Sequence, residues 1–289
     1  METVYEQMTE RHDAILRHWD RVDPGPETAV TRKEQRLRRS RVALIASGPV
    51  GYQVAARLAQ YPLAALSLMG LHDADTNVLM QFMQQPHHKV QSINIPRSRF
   101  DVPGFSVTLS RHHILVIASG RPHPEVLESV NKDCVRIGTA MTSVSIWGTE
   151  INLGPTIIPG ITACHHCYTR RLQSNVEHLD VWQARQHFLQ ENPTFEFAGQ
   201  IAPLANLAAA YAEEEVIRFL SGQQPPMALS RAITFYPLSQ SQSFDYVVPL
   251  EWCPVCHERQ ARQQQETGDT LTQMVKRAMT RQEVVHAAS

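Results

Sequence analysis

Val42-Ala43-Leu44-Ile45-Ala46-Ser47-Gly48-Pro49-Val50-Gly51 is the stretch on which the fold turns. An apolar run ends in a tight glycine turn, and Val54, Ala55, Leu58 and Ala59 then recur on one helical face. A second apolar run, Leu66 to Leu71, closes on His72-Asp73-Ala74-Asp75. Strand, glycine turn, helix, strand and acidic strand end together make a βαβ unit.

Outward from this unit the pattern continues. Ser106–Leu109, Ile114–Ala118 and Val135–Ala140 read as strands, with a helix from about Pro124 to Asn131. Between Ser143 and Pro159 the apolar residues are spaced by Gly148, Gly154 and Pro155, which predicts antiparallel hairpins. Arg170–Gln190 reads as a polar helix and Leu204–Leu220 as a strong one, stopped by Ser221-Gly222. Ala232–Phe235 and Ser243–Val248 complete the strands. The expected fold is α/β: a Rossmann-like, mostly parallel sheet with an antiparallel extension and a zinc-clipped C-terminal segment. Residues 1–40 are a polar, partly helical segment, 41–257 the main domain, and 258–289 a polar tail. In that tail Leu271, Met274, Val275 and Ala278 space a short amphipathic helix; the alternative is disorder.

Composition narrows the function. Of 289 residues 43% are hydrophobic and 19% charged, enough for a core and too apolar for wholesale disorder. A net charge of −1 argues against a general nucleic-acid binder. No apolar run reaches the roughly 18 residues of a membrane span, and the polar, acidic start is no signal peptide. A cytoplasmic location is expected.

Four of the five cysteines form two C-x-x-C pairs, Cys164/Cys167 and Cys253/Cys256. Each turn gives two thiolates a narrow bite on one ion, and two turns make a closed tetrathiolate site. Zinc is the expected ion, redox-silent and content with four sulfurs. A closed shell leaves no position for substrate, so its role is structural. His165, His166 and His257 lie near enough to be alternative ligands, but four cysteines already fill the shell. Cys134 reads as a buried small hydrophobe in a strand-like run. The glycine turn alone is weaker: Ala46 stands where a dinucleotide fingerprint needs its first glycine, and Pro49 removes one N–H that could cradle a phosphate.

The order of these features carries a resemblance. Gln35-Arg36-Leu37 precedes β-like Ser40–Ile45; then come the glycine turn, Asp73-Ala74-Asp75, Gly154 to Cys164-x-x-Cys167, Glu215–Gly222 and Cys253-x-x-Cys256. Over residues 35–257 the chain resembles the ubiquitin-activating-enzyme-like superfamily, the ThiF and MoeB type of adenylyltransferase. The turn at Ser47–Gly51 and the run from Gly154 to Cys167 look most like the ThiF-like proteins of thiazole and oxazole peptide biosynthesis. Those proteins partner a YcaO cyclodehydratase, which binds ATP.

Departures from the active adenylyltransferases are specific. Their phosphate-holding Asn and Arg correspond to Gln81 and Gln84, and only Gln85 matches. Gln lacks the fixed positive fork of Arg. Their magnesium-binding Asp corresponds to Gly120 in Ser119-Gly120-Arg121, and Thr194–Gly199 holds no thioester-forming Cys. Lys89 stands near the catalytic Lys position.

The resemblance therefore implies a non-adenylating subunit, without catalytic residues of its own, that binds or presents a precursor peptide to the YcaO-type partner. Gly48, Gly51, Asp73 and Asp75 would form a vestigial nucleotide site, though with the other losses Asp73 and Asp75 read better as a polar strand end capping the next helix. ATP is not expected to bind this chain. The alternative is an active adenylyltransferase acting on a peptide or sulfur-carrier C-terminus, compensated by Arg36, Lys89 or Arg121. A nicotinamide reductase is a third reading; Asp73 is well placed for a ribose, but the missing glycine counts against it. The resemblance also implies a homodimer. The stretch ahead of Val42 is shorter than the family's winged-helix-like peptide clamp, so a separate leader-binding protein or Arg32–Arg41 is expected to serve. Arg170-Arg171 and the hairpin around Ile146–Leu153 are further candidate peptide contacts.

Overall fold

In the computed structural model, residues 34–83, 90–92, 103–192, 195, 201–222 and 224–259 are described. A single eight-stranded sheet runs β3-β2-β1-β4-β5-β6-β7-β8. Strands β1 (Arg41–Ser47), β2 (Ala65–Gly70), β3 (Val90–Ser92), β4 (Ile114–Ser119) and β5 (Ala140–Trp147) are parallel. Strands β6 (Glu150–Leu153), β7 (Arg231–Tyr236) and β8 (Ser241–Tyr246) extend the sheet antiparallel. The chain runs outward from β1 to β3 and then crosses back to β4, so the order switches between the neighbouring strands β1 and β4.

Both faces of the parallel half are covered, which is why β1 and β4 read as unbroken apolar runs. On one face helix α1 (Gly48–Leu58) packs against α7 (Ala202–Ser221) through Val54, Leu58, Ala205, Ala208 and Ala212. Small residues on α7 let the two helices approach closely. On the other face lie α3 (Pro103–Ser110) and α4 (Pro124–Ile137). Helix α2 (Asp73–Met83) follows β2, and α5 (His165–Asn175) and α6 (Leu179–Glu191) follow the antiparallel turn. Among the described residues no helix is long and apolar enough to cross a membrane.

The sequence reading needs four corrections. Ser106–Leu109 is helical: Phe105 and Leu109 are both buried, four apart, a helical rather than a strand period. Val135–Ala140 is not a strand either, because α4 runs on through Ile137 and ends at Gly138 with φ +100°; β5 begins at Ala140. Gly at that left-handed position is what a helix stop requires. Cys134 is thus a buried helical residue. Arg170–Gln190 is broken at Val176–His178 into α5 and α6. Between Ser143 and Pro159 there is one hairpin, closed by Gly148-Thr149, and then isolated bridges at Thr156 and Ile157. The readings of residues 1–33, the tail helix, Gln84, Gln85 and Lys89 fall outside the described residues.

Glu215 links α7 to the antiparallel half. It is fully buried, accepts from the Thr156 hydroxyl, and takes the Ala228 N–H on both oxygens at 3.1 Å. Burial pushes its carboxyl above the ordinary range.

Candidate functional site

The four cysteines meet. Cys164 immediately precedes α5 and Cys167 follows one turn later, while Cys253 and Cys256 lie in the turn beyond β8. The sulfurs of Cys164 and Cys167 are 3.8 Å apart, Cys164 and Cys253 3.6 Å, and Cys167 and Cys256 3.6 Å. All four lie within 4.8 Å of one another and all are buried. A tetrahedral ion with metal–sulfur bonds of about 2.3 Å sets its sulfurs about 3.8 Å apart. The cluster therefore fits a closed tetrathiolate metal centre.

Its surroundings fix the geometry. Val135, Ala163, Val247 and the flanks of Tyr168, Leu250 and Val255 enclose the sulfurs. Asn131 of α4, itself fully buried, accepts the His165 N–H at 2.9 Å and so anchors the start of α5. The Leu250 N–H reaches the Cys167 sulfur at 3.4 Å. Arg171 holds the second pair in place by donating to Val248 O at 2.6 Å and Pro249 O at 3.0 Å. Hydrogen bonds from Cys164 and Cys256 pull the Cys167 thiol down, and the same contact with Cys167 pushes the Cys164 thiol up. Four buried thiols cannot all ionise without a cation. The histidines are engaged elsewhere: His166 Nδ1 is 3.0 Å from Glu128, the His257 ring lies against Trp252, and burial holds the His165 imidazole down at about 4.

The second polar centre is the glycine turn. Gly48 takes φ +62°, and its N–H donates to Asp75 Oδ1 at 3.0 Å. Tyr52 donates its hydroxyl to the same oxygen at 2.6 Å, and the His72 N–H reaches Asp75 Oδ2 at 3.0 Å. Asp75 is buried at the third position of α2, so it closes that helix from within. Asp73 is exposed. Gly51 is needed for packing: a Cβ there would stand 2.8 Å from Ala118 O and from Ala46 Cα.

At the carboxyl ends of β1 and β4, where such sheets hold ligands, the chain presents Ser119-Gly120-Arg121. Arg121 is 5% exposed, and its guanidinium donates to Asn192 O at 2.9 Å and to Leu189 O at 3.3 Å, capping the end of α6. Burial, with the Arg121 charge beside it, pushes the His123 imidazole down to about 3. Arg36 lies ahead of β1, at the far end of that strand, and donates to Ser221 O at 2.9 Å. Gln81 is exposed on α2. Sequence reasoning missed Tyr52, Asn131, Arg121's hold on α6 and, for Arg171, read as a candidate peptide contact, its hold on Val248 and Pro249. Their partners lie 23 to 78 residues away, beyond the reach of any local pattern.

No family model matches the sequence, and no curated protein matches it. Among solved structures, E. coli MccB with ATP is 20% identical over 78% of this chain and 69% of that one, with a TM-score of 0.60. The microcin C7 biosynthetic enzyme MccB in complex with N-formylated MccA is 20% identical over 78% and 70%, with a TM-score of 0.61. PaaA is 14% identical over 83% of both chains, with a TM-score of 0.64. The chain is similar to these proteins in fold.

Proposed function

We propose that this chain is a non-adenylating ThiF-like subunit of a peptide-modifying complex, stapled by zinc, that binds or presents a ribosomal precursor peptide to a YcaO-type, ATP-using cyclodehydratase. The observation that carries the reading is where the arginines go. Phosphate binding would need cations in place of Gln81 and Gln84. Arg121 and Arg36, two of the candidates to replace them, donate to main-chain carbonyls of the chain itself. The first N–H of the glycine turn is likewise committed to Asp75. Position 120, where the resemblance puts a magnesium-binding Asp, is glycine, and the Asp75 carboxylate at the turn is taken up by donors of the chain itself.

Zinc in the cysteine cluster would supply structure and no chemistry, since four sulfurs close its shell. It would join α5 to the segment after β8. In this reading the chain's own residues orient a peptide and exclude other strands, and the partner activates the amide. A homodimer and a cytoplasmic setting accompany the proposal.

A second reading has one observation in its favour. MccB, similar in fold, has been solved with ATP and with MccA. On that reading the chain adenylates a peptide or carrier C-terminus. ATP–pyrophosphate exchange with the zinc-loaded full chain separates the two: exchange above the enzyme-free background favours adenylation, and none favours the scaffold.

A further inference from the structure

The last strand of the sheet leaves an edge uncovered among the described residues. β8 pairs with β7 on one side, and the sheet order ends there. The Val247 N–H donates to Ser230 O at 2.8 Å, which sets the phase of the ladder. Residues 241, 243 and 245 therefore turn their backbone groups toward β7. The N–H and C=O of Gln242, Phe244 and Tyr246 turn outward. Long exposed edges of this kind are normally blunted by proline, charge or a bulge. SQSFDY has one charge, Asp245, and it lies on the face away from Phe244.

The side chains along this edge are of a recognition type. Phe244, Tyr246 and Val248 follow at alternate positions, and Tyr246 is 72% exposed and Val248 56%. The Arg231 guanidinium stacks 4.7 Å from the Phe244 ring centre and 6.0 Å from that of Tyr246. Its Nε donates to Met227 O, and among the described residues no carboxylate pairs with it. Arg218 beside it is met by Glu214 at 2.6 Å. A pocket of about 360 Å³ opens at the end of the strand, lined by Arg218, Pro226, Met227, Leu229, Arg231 and Tyr246.

We propose that the outer edge of β8 takes an extended acidic peptide as an added strand, with a carboxylate of the peptide on Arg231 and its apolar neighbours on Phe244, Tyr246 and Val248. This rests on the reading of the chain as a peptide-presenting subunit and names where the peptide lies. Main-chain hydrogen bonds from Gln242, Phe244 and Tyr246 give the affinity, and the pocket beside Arg231 gives the choice of side chain. Charge complementarity selects the occupant. A second copy of β8 paired antiparallel about a two-fold axis would keep its faces matched. It would bring Gln242, Phe244 and Tyr246 to this face and leave Arg231 unmet.

The probe is a library of short random-sequence peptides displayed on phage, selected on the zinc-loaded full chain, with the enriched sequences synthesised. The expected peptides carry an acidic residue among apolar or β-branched residues at alternate positions. N-methylating every second peptide amide in one phase weakens binding about tenfold or more, and in the other phase leaves it unchanged. Gln242→Pro removes an outward N–H without touching the β7 ladder, and Arg231→Glu reverses the charge; each weakens binding about tenfold or more at an unchanged melting temperature. Amide exchange at Gln242, Phe244 and Tyr246 slows when peptide binds. Failure to select any peptide overturns the proposal, as does binding indifferent to Gln242→Pro. Slow exchange at these amides before peptide is added also overturns it, and the mass in solution then says whether a second copy covers the edge. Pyrophosphate exchange is read separately. A chain that binds peptide here and also catalyses exchange loses the non-adenylating reading alone, while one that does neither loses the docking site alone.

Discussion

The glycine turn and the cysteine cluster are both buried polar centres, and they are completed in opposite ways. At the turn the chain answers its own demands: the Gly48 N–H, the His72 N–H and the Tyr52 hydroxyl all end on Asp75. At the cluster four thiols face one another, with the Leu250 N–H as the backbone donor to Cys167. A centre whose donors are matched to an internal carboxylate holds together without a ligand. A centre of four converging sulfurs has no internal partner of opposite charge and is suited to being closed by a cation. A motif made for binding and a motif made for structure can look alike in sequence; their internal partners separate them.

That contrast is sharpest in stability. Removing the metal with a strong chelator, or substituting Cys164→Ala, should collapse the cooperative thermal transition. Structural zinc contributes roughly 10–16 kcal/mol in small folds, against a total stability of about 5–15 kcal/mol for a domain. A melting temperature unchanged in both experiments would break the comparison at its strong end. Asp75→Ala comes next. It removes the carboxylate on which three donors converge, one of them the buried Gly48 N–H, and should cost about 3 kcal/mol in urea unfolding, with or without added Mg·ATP. A nucleotide that restores the loss would show the turn to be a binding site after all.

Acid gives a smaller effect. His123 is held down to about 3 in the folded chain, below its ordinary 6.5. A depressed histidine contributes stability that is present above about pH 6.5 and is lost as pH falls toward 3. Unfolding free energy should therefore drop with acidification in that window, by up to about 1.4 kcal/mol per pH unit from this group. His123→Gln should flatten that slope as read by urea titration at pH 7 and pH 5. Smallest of all is Asp73→Ala, exposed on the first turn of α2, which should shift stability by no more than about 0.5 kcal/mol. A large loss there would give Asp73 the role that Asp75 holds here.

What was legible in the sequence follows from the range of the interactions. β1, the glycine turn, α1 and the cysteine pairs are local patterns, and their identity and order could be read directly. The antiparallel extension was legible from glycine spacing around Trp147-Gly148-Thr149-Glu150. α3 was misread because a short apolar segment carries strand and helix periods almost equally, and burial of Phe105 with Leu109 decided it. The end of α4 was missed because Gly138 follows a β-branched run that suits a strand. That Asp75 turns back onto Gly48 while Asp73 faces outward is a matter of helix phase that two nearby aspartates do not reveal. Arg121 stood out in sequence only as a cation near the phosphate position; its hold on the end of α6 was not legible, since those partners lie 68 and 71 residues away.

The most direct test of the central claim is calorimetric titration of the zinc-loaded full chain with Mg·ATP, paired with pyrophosphate exchange. The account predicts no saturable heat up to millimolar nucleotide and no exchange. Saturable binding accompanied by exchange would contradict it and make the chain an adenylating enzyme with a rebuilt phosphate site.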